Sequence, residues 1–160
     1  MIGRLHRPVD FQRLLAAPMR SRSAHFAVHH LSALPTGTAY ARVHPQSTVL
    51  STDDERGSDP PVDKVRDPEP QGYWLGSVIP KRHARRAVTR NLLRRQIRAV
   101  MREQLPRLAP GLWLVRLRVP YAAADYPSAA SRALRQAVRL ELSGLFERAQ
   151  AHHSSRACRV

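Results

Sequence analysis

Cysteine, lysine and acidic residues are all scarce in this chain of 160 residues. The single cysteine, Cys158, excludes an intramolecular disulfide and a zinc site built from cysteines, and it fits a reducing compartment. Lys64 and Lys81 are the only lysines; the other basic residues are arginines. With 27 basic and 12 acidic residues, the formal net charge is +15. Such a charge indicates a polyanionic partner, above all nucleic acid, with an acidic membrane surface as the alternative.

Long apolar runs are also missing from the sequence. Gly111–Val115 is among the longest, and it is far too short to cross a bilayer. Residues 1–8 are basic but are not followed by the apolar segment of a signal peptide. We therefore expect a cytoplasmic protein. Hydrophobic residues make up 42% of the chain, which is enough for one small core and a single domain.

The segment from Pro35 to Gln71 differs in composition from the rest of the chain. Between Gln46 and Gln71 it contains seven acidic and three basic residues and several prolines. A segment with so few apolar side chains cannot offset the entropy lost on ordering. The sequence therefore predicts one domain over 1–149, interrupted at about 46–71 by a disordered insertion rich in Pro and Asp, and followed by a flexible tail over 150–160. Because the insertion is negatively charged and the rest of the chain is positively charged, we hypothesise that the insertion transiently covers positively charged surface elsewhere in the protein.

Hydrophobic periodicity predicts an α+β sandwich with one sheet. Pro8 suits the first turn of a helix, and Ser128 is a candidate N-cap for the last helix. The predicted helices are 8–17, 84–105 and 129–149, and the predicted strands are those around Phe26 and Val28, at 73–79 and at 112–119, with a further strand at 39–43.

The strongest concentration of positive charge lies in Lys81–Arg102, which contains nine basic residues and no acidic one. At helical spacing, Leu93 and Ile97 fall on one face with Val100 and Met101, whereas arginines occupy much of the opposite face. Unpaired like charges one turn apart destabilise a helix, so this pattern favours an anion-binding surface over a merely solvated one. The candidate anion-binding residues are Lys81, Arg82, Arg85, Arg86, Arg90, Asn91, Arg94, Arg95, Arg98 and Arg102.

This segment resembles the signature of the protein subunit of bacterial ribonuclease P. The matching residues are Lys81-Arg82, Arg85-Arg86-Ala87, Arg90-Asn91-Leu92-Leu93-Arg94-Arg95 and Arg98. Leu92 stands where the family usually has the second arginine of its Arg-Asn-Arg motif, which removes one expected RNA contact. The helix around Phe11, the predicted strands and the last helix also resemble elements of the family.

The resemblance implies a two-layer α+β sandwich with one mixed sheet of about four strands, similar to a fold of ribosomal proteins, with a left-handed βαβ crossover that contains the basic helix. It also implies a subunit that binds the catalytic RNA through the basic motif. The single-stranded 5′ leader of precursor tRNA would lie in a cleft between the sheet and this helix, and the holoenzyme would remove the leader to form the mature 5′ end. The implied partners are ribonuclease P RNA and precursor tRNA, in a 1:1 ribonucleoprotein, without a membrane.

The residues provide no sign of catalysis by the protein itself. Acidic residues concentrate in the insertion, and no nucleophile is paired with a base, so we expect no catalytic residue and no metal ligand in the protein. The expected cofactor is Mg²⁺, bound mainly by the RNA. His25 and His29 fall on one face of the predicted strand, but no carboxylate is expected beside them to complete a metal site.

Binding of a single-stranded leader needs apolar or aromatic surface for bases beside cations for phosphates. The candidates for this cleft are Phe11, Leu15, Phe26, Val28 and His29. For Phe11, Phe26 and Val28 a position in the hydrophobic core is the alternative interpretation.

Three other functions fit parts of the pattern. A ribosomal-type structural RNA-binding protein would have the same charge without any role in tRNA processing. A DNA-binding protein using helix 84–105 is disfavoured because no helix-turn-helix precedes it. A membrane-bound basic helix is disfavoured because the large aromatic face is missing.

Overall fold

The computed structural model describes residues 1–37 and 70–157, with side chains as far as Ala151. The predicted strand at 39–43 and residues 46–69 of the predicted insertion lie outside the described residues. The fold is one mixed sheet with helices packed against both of its faces. The elements are β1 (Ile2–Arg4), α1 (Pro8–Ala16), β2 (Met19–Arg22), β3 (Phe26–Leu31), β4 (Tyr73–Val78), α2 (Ala87–Gln104) with a short 3₁₀ turn at Leu105–Arg107, β5 (Gly111–Leu117) and α3 (Arg132–Ala157).

The sheet has five strands in the order β1-β4-β5-β3-β2. β4 pairs in parallel with β1 and with β5, whereas β3 pairs antiparallel with β5 and with β2. Helix α2 connects the two adjacent parallel strands β4 and β5. The α+β prediction with one mixed sheet is confirmed, but the sheet has one strand more than the expected four.

Neither edge strand was predicted from the sequence. β1 has three residues, and the Leu5 N–H extends its pairing by donating to the Leu75 carbonyl oxygen at 3.2 Å. β2 reads Met-Arg-Ser-Arg and pairs with β3 through an irregular register between Met19 and Ser21. Both strands are short and poor in apolar residues, so their formation depends on pairing with a neighbour and leaves no periodic pattern.

Each face of the sheet has its own hydrophobic core. One contains Phe26, Val28 and Trp113 and packs against α2 and α3. The other contains Leu112 and Leu114 of β5 and packs against Leu14 of α1. Alternation along β5 places Trp113 and Leu112 on opposite faces, as predicted.

The helix boundaries differ from the predicted ones for local reasons. α2 begins at Ala87 rather than 84, because Pro80 starts a turn in which its carbonyl oxygen accepts hydrogen bonds from His83 and Ala84. α3 begins at Arg132, and the Leu134 N–H donates to Ser131 Oγ at 3.1 Å. Ser131 therefore caps the helix, and Ser128 does not. The helical backbone continues to Ala157, beyond the predicted end at 149.

Candidate nucleic-acid interface

Helix α2 is amphipathic, with one face in the core and the other carrying arginines. Ile97, Val100 and Met101 are fully buried. Leu92, where the sequence resemblance predicted an arginine, is also buried, with 7% of its surface exposed. Its side chain therefore belongs to the core-facing side of α2 and not to the arginine face.

The predicted RNA-binding residues lie on α2 and on the loop that precedes it, residues 79–86. We call them together the basic surface. Most are exposed, whereas Arg90 and Arg98 are half-buried. The exposed members are Lys81, Arg82, Arg85, Arg86, Asn91, Arg94, Arg95 and Arg102.

A cavity of about 370 Å³ lies between α1 and α2, and we call it the α1–α2 cavity. Phe11 of α1 lines it beside Arg94, Arg95 and Arg98 of α2. Gly76 of β4 forms part of the wall, and a Cβ atom there would lie 2.8 Å from the Phe11 ring. Because Gly76 has no side chain, the Phe11 ring can lie close to the sheet. No acidic residue in the described part of the chain lines this cavity, so it combines an aromatic surface with unneutralised cations.

Arg4 also lines the α1–α2 cavity, and the sequence analysis missed it. Arg4 is the last residue of β1, which had no recognisable strand pattern. Its place in the cavity follows from the parallel pairing of β1 with β4.

The structure separates the five candidate leader-binding residues, and only Phe11 lines the α1–α2 cavity. Leu15 is exposed elsewhere on α1. Phe26 and Val28 must be withdrawn as surface residues, because both are fully buried on the opposite face of the sheet. His29 is 9% exposed, and its Nδ1 lies 3.2 Å from the Ala17 carbonyl oxygen, so it connects β3 to the end of α1.

Arg90 braces the loop before α2. Its Nη1 donates to the carbonyl oxygens of Ala84 at 2.9 Å and of Arg85 at 2.7 Å. Two hydrogen bonds from one guanidinium group hold the backbone that carries Arg85 and Arg86. Arg90 is therefore a positioning residue for the basic surface as well as a cation.

A half-buried polar cluster lies away from the α1–α2 cavity. The Glu141 carboxylate accepts hydrogen bonds from Ser23 Oγ at 2.5 Å, from the Tyr121 hydroxyl at 2.7 Å, and from the backbone N–H and Nδ1 of His25, both at 2.8 Å. Burial alone would raise the pKa of Glu141, but these hydrogen bonds outweigh it and lower that pKa below its usual value. Burial raises the pKa of Tyr121, and the hydrogen bond to the Glu141 carboxylate adds to this effect.

This cluster corrects the expectation that no carboxylate lies beside His25. The partner is Glu141 of α3, far away in sequence, and the His25 ring also stacks on Tyr121 with 3.9 Å between ring centroids. The described residues contain no group of three or more His, Cys, Asp or Glu side chains that could hold a metal ion. None of the helices in the described ranges is long and apolar enough to span a membrane.

Comparison with known proteins identifies the family. A family model described as Ribonuclease P matches residues 3–150. The chain belongs to the ribonuclease P protein family. The ribonuclease P protein component of Trichormus variabilis is 35% identical over 121 residues, covering 76% of each chain. That of Bordetella parapertussis is 32% identical over 146 residues, covering 91% of this chain and 90% of the other.

The fold agrees with this assignment to ribonuclease P. The solved structure of the Staphylococcus aureus RNase P protein covers 90% of this chain and 92% of its own, with a TM-score of 0.50 at 14% identity. This likeness confirms the fold class, whereas the family model and the sequence relatives confirm the predicted family and the role as protein subunit of ribonuclease P. The chain is thus a subunit of an enzyme that processes tRNA.

Proposed function

We propose that this chain binds ribonuclease P RNA through the basic surface and holds the single-stranded 5′ leader of precursor tRNA in the α1–α2 cavity. The complex contains one protein per RNA and acts in the cytoplasm. Its product is tRNA with a mature 5′ end.

The observation that carries the leader assignment is the placement of Phe11 beside Arg94, Arg95 and Arg98 in one cavity. A single strand exposes both bases and phosphates, so its binding sites combine aromatic faces with cations. A duplex offers mainly phosphates to side chains that approach from outside. An aromatic ring set into a cationic cavity therefore favours a single strand.

The exposed members of the basic surface suit the larger RNA partner. They lie along the α2 helix and its preceding loop, where they can approach several phosphates of a folded RNA. Each phosphate contact releases condensed counterions, so this surface provides salt-dependent affinity with little sequence preference.

We further propose that the RNA supplies the catalytic centre and binds most of the Mg²⁺. The side chains in the described part of the chain do not fit a metal site, so no step of hydrolysis is assigned to a metal held by the protein. The protein contributes charge neutralisation and positions the substrate.

A processing assay tests the proposal. Bacterial ribonuclease P RNA is incubated at low Mg²⁺ with precursor tRNA, with and without the protein. We expect leader release to depend on the protein. RNA binding without any stimulation of cleavage would contradict the proposal and favour a ribosomal-type RNA-binding role.

The length of the leader provides the second arm of this assay. We expect the protein to stimulate cleavage of a precursor with a long leader more than one with a single-nucleotide leader. Phe11→Ala should reduce that difference, whereas Leu15→Ala on the same helix, outside the cavity, is the matched control. An equal effect of the protein on both precursors would contradict leader binding in the α1–α2 cavity.

A further inference from the structure

A second cavity, of about 430 Å³, lies at the N-terminal end of α2. We call it the loop cavity, because it opens between residues 82–86 before α2 and residues 120–129 before α3. Its volume is within the range of about 300–1,000 Å³ that is typical of pockets for small ligands. The α1–α2 cavity shares none of its lining residues.

The walls of the loop cavity combine apolar, aromatic and positively charged side chains. Leu93 of α2, Leu117 of β5 and Leu134 of α3 contribute apolar side chains. Tyr121 and Tyr126 contribute aromatic rings.

The remaining feature of the loop cavity is its charge. Arg82, Arg85 and Arg86 line one side, and no acidic residue of the described ranges lines any side. All three arginines belong to the basic surface, so the cavity is continuous with the proposed RNA interface. The N-terminus of α2 has no side-chain cap, and its helix dipole adds partial positive charge on the same side.

Hydrogen bonds hold the two loops in place without a ligand. Arg86 Nη1 donates to the Pro127 carbonyl oxygen at 3.3 Å, and Thr89 Oγ1 donates to that of Ala129 at 2.8 Å. The Tyr121 ring is fixed by its hydrogen bond to Glu141 and contacts Tyr126 edge-on, with 5.7 Å between centroids. The cavity is therefore pre-organised, which lowers the entropic cost of binding.

From this combination we infer that the loop cavity binds one unpaired nucleotide of an RNA, with the base against Tyr126 and the phosphate near Arg82 and Arg85. A bare phosphate would leave the half-buried tyrosine rings without a stacking partner, and an uncharged apolar ligand would leave the arginines without a counter-charge. A nucleotide matches both surfaces. This inference builds on the proposed RNA-binding function but concerns a separate site.

Two probes of equal charge test the inference on the full chain. One is a single-stranded uridine pentamer, and the other is a chain of five abasic ribose phosphates. The test is made in a Phe11→Ala background, so that stacking in the α1–α2 cavity does not contribute. We expect the uridine pentamer to bind more tightly than the abasic chain.

Tyr126→Ala should then lower uridine affinity about 5- to 160-fold and leave the abasic chain almost unaffected, because stacking on an aromatic ring is lost. Tyr126→Phe retains the ring and should retain the preference. Thermal melting of each variant checks that it is folded. An unchanged uridine preference in Tyr126→Ala overturns the inference, as does equal binding of uridine, abasic chain and polyglutamate, which indicates only a nonspecific anion site.

The two proposals fail in different ways. If the protein stimulates leader removal but Tyr126→Ala keeps the uridine preference, only the nucleotide site is overturned. A base preference that depends on Tyr126, without stimulated leader removal, overturns the proposed function and supports the nucleotide site.

Discussion

Replacing Arg94, Arg95 and Arg98 together by glutamine should flatten the salt dependence of single-stranded RNA binding. The three guanidinium groups line one cavity without an acidic neighbour in the described part of the chain. If each contacts one phosphate, their loss reduces the slope of log K against log salt by about 2, since each contact to a single strand contributes about 0.7. Between 50 and 200 mM salt, wild-type affinity should therefore fall about 20-fold more than that of the variant.

Fluorescence anisotropy with a labelled single-stranded RNA measures these slopes. The matched control replaces Arg22, Arg107 and Arg132, which are exposed and lie outside the α1–α2 cavity, so it removes the same charge. We expect a much smaller change of slope in the control. Equal slopes in the two triple variants would refute the reasoning, because the effect would then depend on net charge and not on the cavity.

Three further predictions concern the loop, the polar cluster and the insertion. Arg90→Lys keeps the charge, but the lysine side chain is one atom shorter and does not reach both carbonyl oxygens that Arg90 Nη1 contacts. Hydrogen exchange in residues 81–86 should therefore accelerate while that of α2 stays unchanged, and unchanged exchange in the loop would argue against the bracing role of Arg90. Glu141→Gln should lower the free energy of unfolding at pH 7 by about 2 kcal/mol, because the accepted hydrogen bonds lose their charge. The pKa of Glu141 is lowered in the folded state, so the extra stability of the wild type is present above the unfolded pKa of about 4.3 and is lost as pH falls through the folded pKa. Urea titrations that give the same difference in free energy of unfolding between wild type and variant at pH 7 and pH 3 would contradict this. Deletion of 46–71 removes a net negative charge and should strengthen nonspecific RNA binding at low salt, whereas unchanged affinity would exclude the covering hypothesis.

The elements with strong periodicity were predictable from the sequence. The arginine face and leucine face of α2 are separated as its helical spacing predicts, and β5 alternates as expected. The edge strands were not predictable, because four residues such as those of β2 become a strand through pairing alone.

The candidate site was predictable only in part, for a similar reason. Phe11 and Phe26 are both aromatic residues in regular elements, and nothing in their local sequence tells which face of the sheet each will occupy. The strand order decides it: Phe11 lines the α1–α2 cavity, and Phe26 packs beneath α2 and α3. Glu141 was missed because its partners come from distant segments.

Both edge strands of the sheet come from the first 22 residues, whereas the inner strands β4 and β5 come from residues 73–117. Residues distant in sequence also line the α1–α2 cavity, since Arg4 and Phe11 belong to the N-terminal segment and Arg94 and Arg98 to α2. RNA that contacts both parts of the cavity can bind only after β1 has paired with β4. Binding and folding are thus thermodynamically linked, and RNA present at 100 times its Kd should raise the free energy of unfolding by about 2.7 kcal/mol.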